Sequence, residues 1–279
     1  MEQRAKITLT GTPETLLATL YSRALDARSR DPVLGDEHAV AAVRRIDYDF
    51  RRTGINAVTA TGVALRAKLL DDWLTAFLAD HEEATVLHLA CGLDTRARRL
   101  ARPATVRWFD VDLPEVIELR ERLLPPPGGD YTQLAASVTE QEWLERVPAD
   151  RPAVAVFEGL AMYLREEDGR RLIERITGRF PSGELLFDVY GTMGIRMQKL
   201  VPAVRRTGAR MYWGVDDPRV IESWHDGLVC VDAVRSVDMP GLERLPLLSG
   251  RLPLWVLARI PRLRDVGRIL RFRYEGNAG

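Results

Sequence analysis

The chemistry in this chain gathers where short apolar runs end. The run Thr85–Leu89 gives way to Ala90-Cys91-Gly92-Leu93-Asp94-Thr95, small residues at a predicted strand-to-helix turn. Such a turn lets backbone approach a ligand closely, and the helix end that follows offers bare N–H groups. The next run ends in Trp108-Phe109-Asp110-Val111-Asp112-Leu113-Pro114. A carboxylate there can accept both hydroxyls of a ribose, through charge-assisted bonds worth about 1.5–3 kcal/mol each. Asp112 stands 20 positions beyond Gly92, the spacing of a nucleoside-binding βαβ unit. Asp112 with Pro114 would also start a helix well, and the two roles are compatible. Only one of Asp110 and Asp112 is expected to face the ligand. A third run, ending in Phe157-Glu158-Gly159, leaves an acid just past a strand. That place suits a site residue better than a buried, paired structural carboxylate.

These turns need a scaffold, and the hydrophobic pattern supplies one. Thr12-Pro13-Glu14 reads as a helix start, followed at helical spacing by Leu16, Leu17, Leu20, Tyr21, Ala24 and Leu25. A second helix is predicted over Asp36 to Ile46. A third, Ile55 to Ala79, is expected to carry Val58, Leu65, Leu69, Trp73 and Phe77 inward. From Thr85 the pattern changes to strand-length runs, Thr85–Leu89, Thr105–Phe109, Ala153–Phe157 and Glu184–Val189, with a weaker run at Tyr131 to Ala136. Helical stretches at Thr95–Ala101, Pro114–Leu124, Glu140–Val147 and Glu166–Phe180 lie between them. This alternation predicts an α/β fold: a parallel, Rossmann-like sheet with helices on both faces and the ligand beyond the strand ends. The N-terminal helices, residues 1–80, would form a cap on a catalytic domain at 81–279. Residues 190–227 are too long for a simple connection and read as a lid or as packing for the cap. Residues 228–274 return to short apolar pieces that could complete the sheet.

Composition bounds the rest. The 279 residues are 46% hydrophobic and 29% charged, which excludes a disordered chain. Forty basic and forty acidic residues cancel, so no general attraction to nucleic acid or anionic membrane follows. All but three of the basic residues are arginine, a bias that a GC-rich genome would produce. No apolar run is long enough to span a bilayer, and the N-terminus carries no secretory signature. The expectation is a soluble, cytoplasmic protein. Cys91 and Cys230 are far apart in sequence, without a His/Cys cluster, so neither a disulfide framework nor a metal site is readable.

Three blocks together, Leu89-Ala90-Cys91-Gly92-Leu93-Asp94-Thr95-Arg96, Asp110-Val111-Asp112-Leu113-Pro114 and Phe157-Glu158-Gly159-Leu160-Ala161-Met162-Tyr163-Leu164, resemble the leucine carboxyl methyltransferase superfamily. The likeness is to its bacterial branch, which includes an O-methyltransferase of polyketide synthesis, and runs from about residue 45 to the C-terminus. The resemblance implies a class I methyltransferase using S-adenosyl-L-methionine. It places Ala90, Cys91 and Gly92 under the methionyl part, Asp112 and Leu113 at the ribose, and Ser137 and Val138 at the adenine. It also implies that Arg66 grips the methionyl carboxylate and that Glu158 and Gly159 face the amino-acid end. Arg66 on a long helix could otherwise simply pair with Asp71 or an outside acid. Tyr163 could pack at a helix start or set its ring against the sulfonium. Ala90 stands where the family has glycine, and a negative φ there would accommodate the extra methyl.

A small-molecule acceptor, a polyketide or related natural product, is what the branch implies. Met193, Met197, Trp213 and Trp224, with Tyr21 from the cap, are apolar material for its pocket, or else core. A carboxylate acceptor needs no base at pH 7, whereas a phenol would want one. His225, beside Trp224, is the histidine placed to serve as one; His88 reads as a loop-fixing hydrogen bonder. Two rival enzymes remain: a protein C-terminal carboxyl methyltransferase, and a nicotinamide-dependent reductase, which lacks its second and third glycines here. A non-catalytic adenosyl-ligand-binding protein is the alternative outside enzymes.

Overall fold

The computed structural model describes residues 5–6 and 15–276, so the expected helix start at Thr12-Pro13-Glu14 lies outside the described residues. One sheet contains β1 (Thr85–Leu89), β2 (Arg107–Asp112), β3 (Tyr131–Ala135), β4 (Ala153–Phe157), β5 (Ser182–Tyr190), β6 (Val229–Arg235) and β7 (Gly267–Glu275). Their order is β3-β2-β1-β4-β5-β7-β6. β1 through β5 run parallel, while β7 is antiparallel to both β5 and β6. Every residue of β1 and β4 is buried, which is why these central strands, interrupted only by Thr85 and His88 of β1, read as apolar runs rather than as an alternation. The order reverses between β1 and β4, so a crevice opens beyond their carboxyl ends.

Helices cover both faces. α1 (Thr15–Ala27), α2 (Glu37–Arg45) and α3 (Ala57–Asp80) precede the sheet; α4 (Arg96–Arg99), α5 (Pro114–Leu123), α6 (Glu142–Glu145) and α7 (Glu166–Arg179) alternate with its strands. Asp36 caps α2 and Asn56 caps α3, each accepting a backbone N–H from three residues on. On one face Leu70, Leu74 and Phe77 of α3 pack against Val86, Val154, Val156 and Leu186. On the other, Leu172, Ile173 and Ile176 of α7 join Leu87, Phe157 and Phe187. Leu17, Leu20 and Ala24 of α1 share a cluster with Val40, Phe50, Leu119 and Leu123, tying the N-terminal helices to α5.

Several boundaries differ from the sequence reading. β2 continues to Asp112, so Asp110 and Asp112 belong to the strand rather than follow it. In α3, Leu65 and Phe77 are buried, but Val58, Leu69 and Trp73 are only partly so. Its buried stripe instead runs through Ala60, Ala64, Ala67, Leu70 and Leu74. Alanines let a helix approach its neighbours closely, and that proximity outweighed side-chain size. α4 and α6 are single turns where longer helices were expected. The 236–266 connection holds helical turns at Leu252–Arg259 and Pro261–Arg264 before β7 completes the sheet.

Candidate active site

The loop after β1 is built on left-handed backbone. Gly92 sits at φ 50°, and a Cβ there would stand 3.4 Å from Leu16. Ala90 also has positive φ, 49°. The negative φ that would accommodate its methyl is therefore absent, and Ala90 carries roughly 1–2 kcal/mol of strain. The turn is held from β2. One carboxylate oxygen of Asp112 accepts the Gly92 N–H at 2.7 Å and the other accepts the Leu113 N–H at 2.7 Å. Both oxygens keep a lone pair, and Asp112 faces the cavity beyond the strand ends. Burial raises its pKa against these two backbone donors.

Asp110 lies two residues earlier, on the same face of the strand, and depth separates it from Asp112. It is fully buried and accepts from Trp108 Nε1 at 2.8 Å, Arg120 Nη2 at 2.5 Å and the Tyr131 hydroxyl at 2.5 Å. His88 Nδ1 pairs with it at 2.8 Å. Burial alone would raise its pKa, but Arg120 and His88 outweigh burial and hold it low. Arg120 also donates to the carbonyls of Gly92 and Asp94, so Asp110 anchors the loop from beneath.

The other end of the crevice is an arginine–carboxylate cluster. Glu158 follows β4, its side chain 4% exposed, and meets Arg66 at 2.8 Å, Arg23 at 3.2 Å and Arg96 at 3.1 Å. Burial pushes its carboxyl up, but the three guanidiniums prevail and hold it at about 2. Arg66 comes from α3 and makes a second bond, at 2.8 Å, to Asp188 of β5. The other Asp188 oxygen accepts the Gly159 N–H at 2.6 Å. Asp94 binds Arg23 at 2.9 Å and Arg99 at 2.6 Å, and Arg96 is tied to Asp71 at 2.5 Å. Asp71 serves Arg96 and Arg99, so of the two pairings open to Arg66 it makes the one with acids outside its own helix, Glu158 and Asp188.

Between these ends lies a cavity of about 450 Å³, within the range of small-molecule sites. Arg66, Ala90, Cys91, Gly92, Asp112, Leu113, Ser137, Val138, Glu158, Gly159 and Tyr163 all line it. Val138 is fixed through its carbonyl, which accepts Arg175 Nη2 at 3.1 Å. Burial pushes the Tyr163 hydroxyl up to about 12, and it bonds to Thr15. The acceptor-side residues fall elsewhere. Trp213 is buried in the core against Gly169, where a Cβ would come within 2.4 Å of its ring, and it packs against Trp224. Tyr21 stacks on Phe50, and neither it nor Met193 nor Met197 reaches the cavity wall. Met162, Val201, Val204, Met211 and the α1 residues Leu16, Ala18 and Thr19 stand there instead. His225 is outside the cavity, with both ring nitrogens buried and lacking hydrogen-bond partners among the described residues. No base can be assigned to it there.

Arg23 and Asp188 were missed by sequence reasoning. Asp188 carried a signal, an acid inside the otherwise apolar Leu185-Leu186-Phe187-Asp188-Val189 strand. Arg23 carried none beyond its place on the helix.

The strand order with β7 reversed, the glycine loop after β1 and the acid ending β2 define a class I methyltransferase domain. The leucine carboxyl methyltransferase family model matches residues 17–177, and the chain belongs to that family. It is 45% identical over 273 residues to the tetracenomycin polyketide synthesis O-methyltransferase TcmP of Streptomyces glaucescens, covering 96% of this chain and 98% of that one. It is 37% identical to the S-adenosyl-L-methionine-dependent methyltransferase dpfgK of Gibberella zeae, across 81% of this chain and 82% of that one. A candidate methyltransferase from Thermobifida fusca shares the fold at TM-score 0.60 and 16% identity, with 96% of each chain covered. The protein is an S-adenosylmethionine-dependent methyltransferase.

The cavity fits that cofactor on its own chemistry. Asp112 offers acceptors suited to a diol. Glu158 suits an ammonium, and the buried Arg23 Nε, which has no hydrogen-bond partner among the described residues, is a donor suited to a carboxylate.

Proposed function

We propose that this protein methylates an oxygen of a small apolar acceptor, a polyketide or related natural product, and that the oxygen belongs to a carboxylate rather than a phenol. In this reading Asp112 receives the ribose hydroxyls, the Ala90–Gly92 backbone passes beneath the methionyl chain, and Ser137 and Val138 border the adenine. Arg23 and Arg66 bind the α-carboxylate, Glu158 faces the ammonium, and Asp188 holds Arg66 in place from behind. When bound, S-adenosylmethionine supplies a methyl group on a positively charged sulfur. The protein aligns the acceptor oxygen with that methyl and excludes water, and alignment alone can contribute about 7–11 kcal/mol. Tyr163 turns an electron-rich ring toward the positive charge.

One observation carries the choice of acceptor: His88 is the one histidine lining the cavity among the described residues, and its Nδ1 is bonded to Asp110. Three arginines hold Glu158 at about 2, and Asp112 is tied to two backbone N–H groups at the other end of the cavity. Burial keeps the Tyr163 and Tyr190 hydroxyls protonated, so they are donors. A carboxylate arrives already ionised and has no proton to lose. A phenol would need a base. The test is the alkali lability of product labelled from methyl-labelled cofactor: an ester releases volatile methanol under mild alkali, and an aryl ether retains its label. A retained label, or a rate that climbs steeply between about pH 6.5 and 8.5, overturns the carboxylate assignment.

A further inference from the structure

A second cavity, of about 390 Å³, opens against the same stretch of α3. Thr59, Val63 and Arg66, one face of the helix at spacings of four and three, line both cavities, and so does Tyr190 at the end of β5. The two spaces therefore meet at a boundary that includes Arg66, the residue bridging Glu158 and Asp188. The far wall of the second cavity is the β6–β7 connection, with Met239, Leu242, Leu245 and Leu254 facing inward.

Gly62 lies inside α3 and borders the second cavity but not the first. A glycine within a helix costs about 1 kcal/mol relative to alanine. Crowding usually explains one, yet a Cβ at Gly62 would meet nothing within 4 Å. The missing side chain makes room for no neighbour; it leaves the cavity wider. Tyr190 marks the inner end. Its ring lies against Gly194, where a Cβ would stand 2.6 Å from Cδ1, and its hydroxyl makes no hydrogen bond to another described residue.

We propose that this second cavity is the acceptor chamber: it holds a flat, apolar ring compound and presents that compound's reacting oxygen to the Arg66–Tyr190 boundary. The assignment rests on the methyl-transfer reading above and moves the acceptor wall from Met193, Met197, Trp213 and Trp224 to Tyr190, α3 and the β6–β7 connection. The Tyr190 hydroxyl donates to the acceptor's oxygen, while the wall from β6–β7 covers its rings.

Anthracene-2-carboxylate, a fluorescent aromatic acid, serves as probe, and S-adenosylhomocysteine binding is measured separately by calorimetry. The wild-type protein should bind the probe. Gly62→Phe on α3 and Ser249→Phe on the β6–β7 connection, both at residues lining the chamber, should each weaken it at least about tenfold while leaving S-adenosylhomocysteine within about twofold. Gly62→Ala should retain probe binding and a native melting temperature, showing that the helix tolerates a side chain there. Unchanged probe binding in both Phe variants overturns the proposal, as does a wild-type protein that fails to bind the probe. Equal loss of probe and S-adenosylhomocysteine in both variants overturns it as well, since the chamber would then not be separate from the cofactor site. Failure of the wild-type protein to bind S-adenosylhomocysteine strikes the methyl-transfer reading instead, and the probe arm still decides the chamber.

Discussion

Replacing Asp112 with alanine separates ligand binding from loop support. The side chain holds the Gly92 and Leu113 N–H groups at 2.7 Å each and has lone pairs left for the ribose. Both N–H groups adjoin an open cavity, so water can replace the carboxylate for them. The lost ribose contact is worth about 1.5–3 kcal/mol, which converts to a cofactor dissociation constant roughly 10- to 150-fold higher. Melting temperature should move little. Asp110→Ala should do the reverse. That carboxylate neutralises Arg120, 2% exposed, and binds Tyr131, Trp108 and His88. Its removal strands a buried guanidinium at a cost of about 3–5 kcal/mol, or a fall in Tm on the order of 10 °C. Calorimetry with S-adenosylhomocysteine beside thermal melts reads both quantities. The reasoning is refuted if Asp110→Ala stays as stable as wild type and weakens the cofactor more than Asp112→Ala does.

Ala90→Gly should raise stability by about 1 kcal/mol, seen as a Tm higher by a few degrees, because φ 49° costs glycine nothing. Trp213→Ala should destabilise the protein by about 3–5 kcal/mol, with S-adenosylhomocysteine affinity little changed, because the ring packs on Gly169 in the core; a stable variant with a large change in acceptor KM would restore it to the acceptor site. The pH dependence follows from Glu158. Its folded-state pKa of about 2 lies below the ordinary 4.5, so its stabilising effect is complete above the unfolded value and fades as pH falls through this window. Urea unfolding across that range should show a limb that Glu158→Gln flattens, and an unchanged limb would mean that Glu158 is not the group responsible.

Part of the cavity wall was legible in the sequence because strand ends in a parallel sheet converge. Gly92 and Glu158 follow β1 and β4 and Asp112 ends β2, so the strand-length runs pointed to them. Arg66, Ser137 and Val138 were reached only through family likeness. Arg23 and Asp188 depend on which helix faces pack over the crevice, and one chain's hydrophobic pattern does not set that rotation. The residues expected on the acceptor side fall outside the cavity wall for a related reason. Trp213 and Tyr21 are large and apolar, which suits a pocket or a core equally, and packing against Gly169 and Phe50 decided for the core. A small residue was the better signal. Gly62, inside a helix with no neighbour to accommodate, is where the sequence left space.

The most direct measurement is a crystal structure of the protein with S-adenosylhomocysteine. The ribose hydroxyls should lie within hydrogen-bond distance of the Asp112 carboxylate, the adenine beside Val138, and the amino-acid end among Arg23, Arg66 and Glu158, with the second cavity left free. A ribose bound away from Asp112, or an amino-acid end outside the arginine–carboxylate cluster, would contradict the site assigned here.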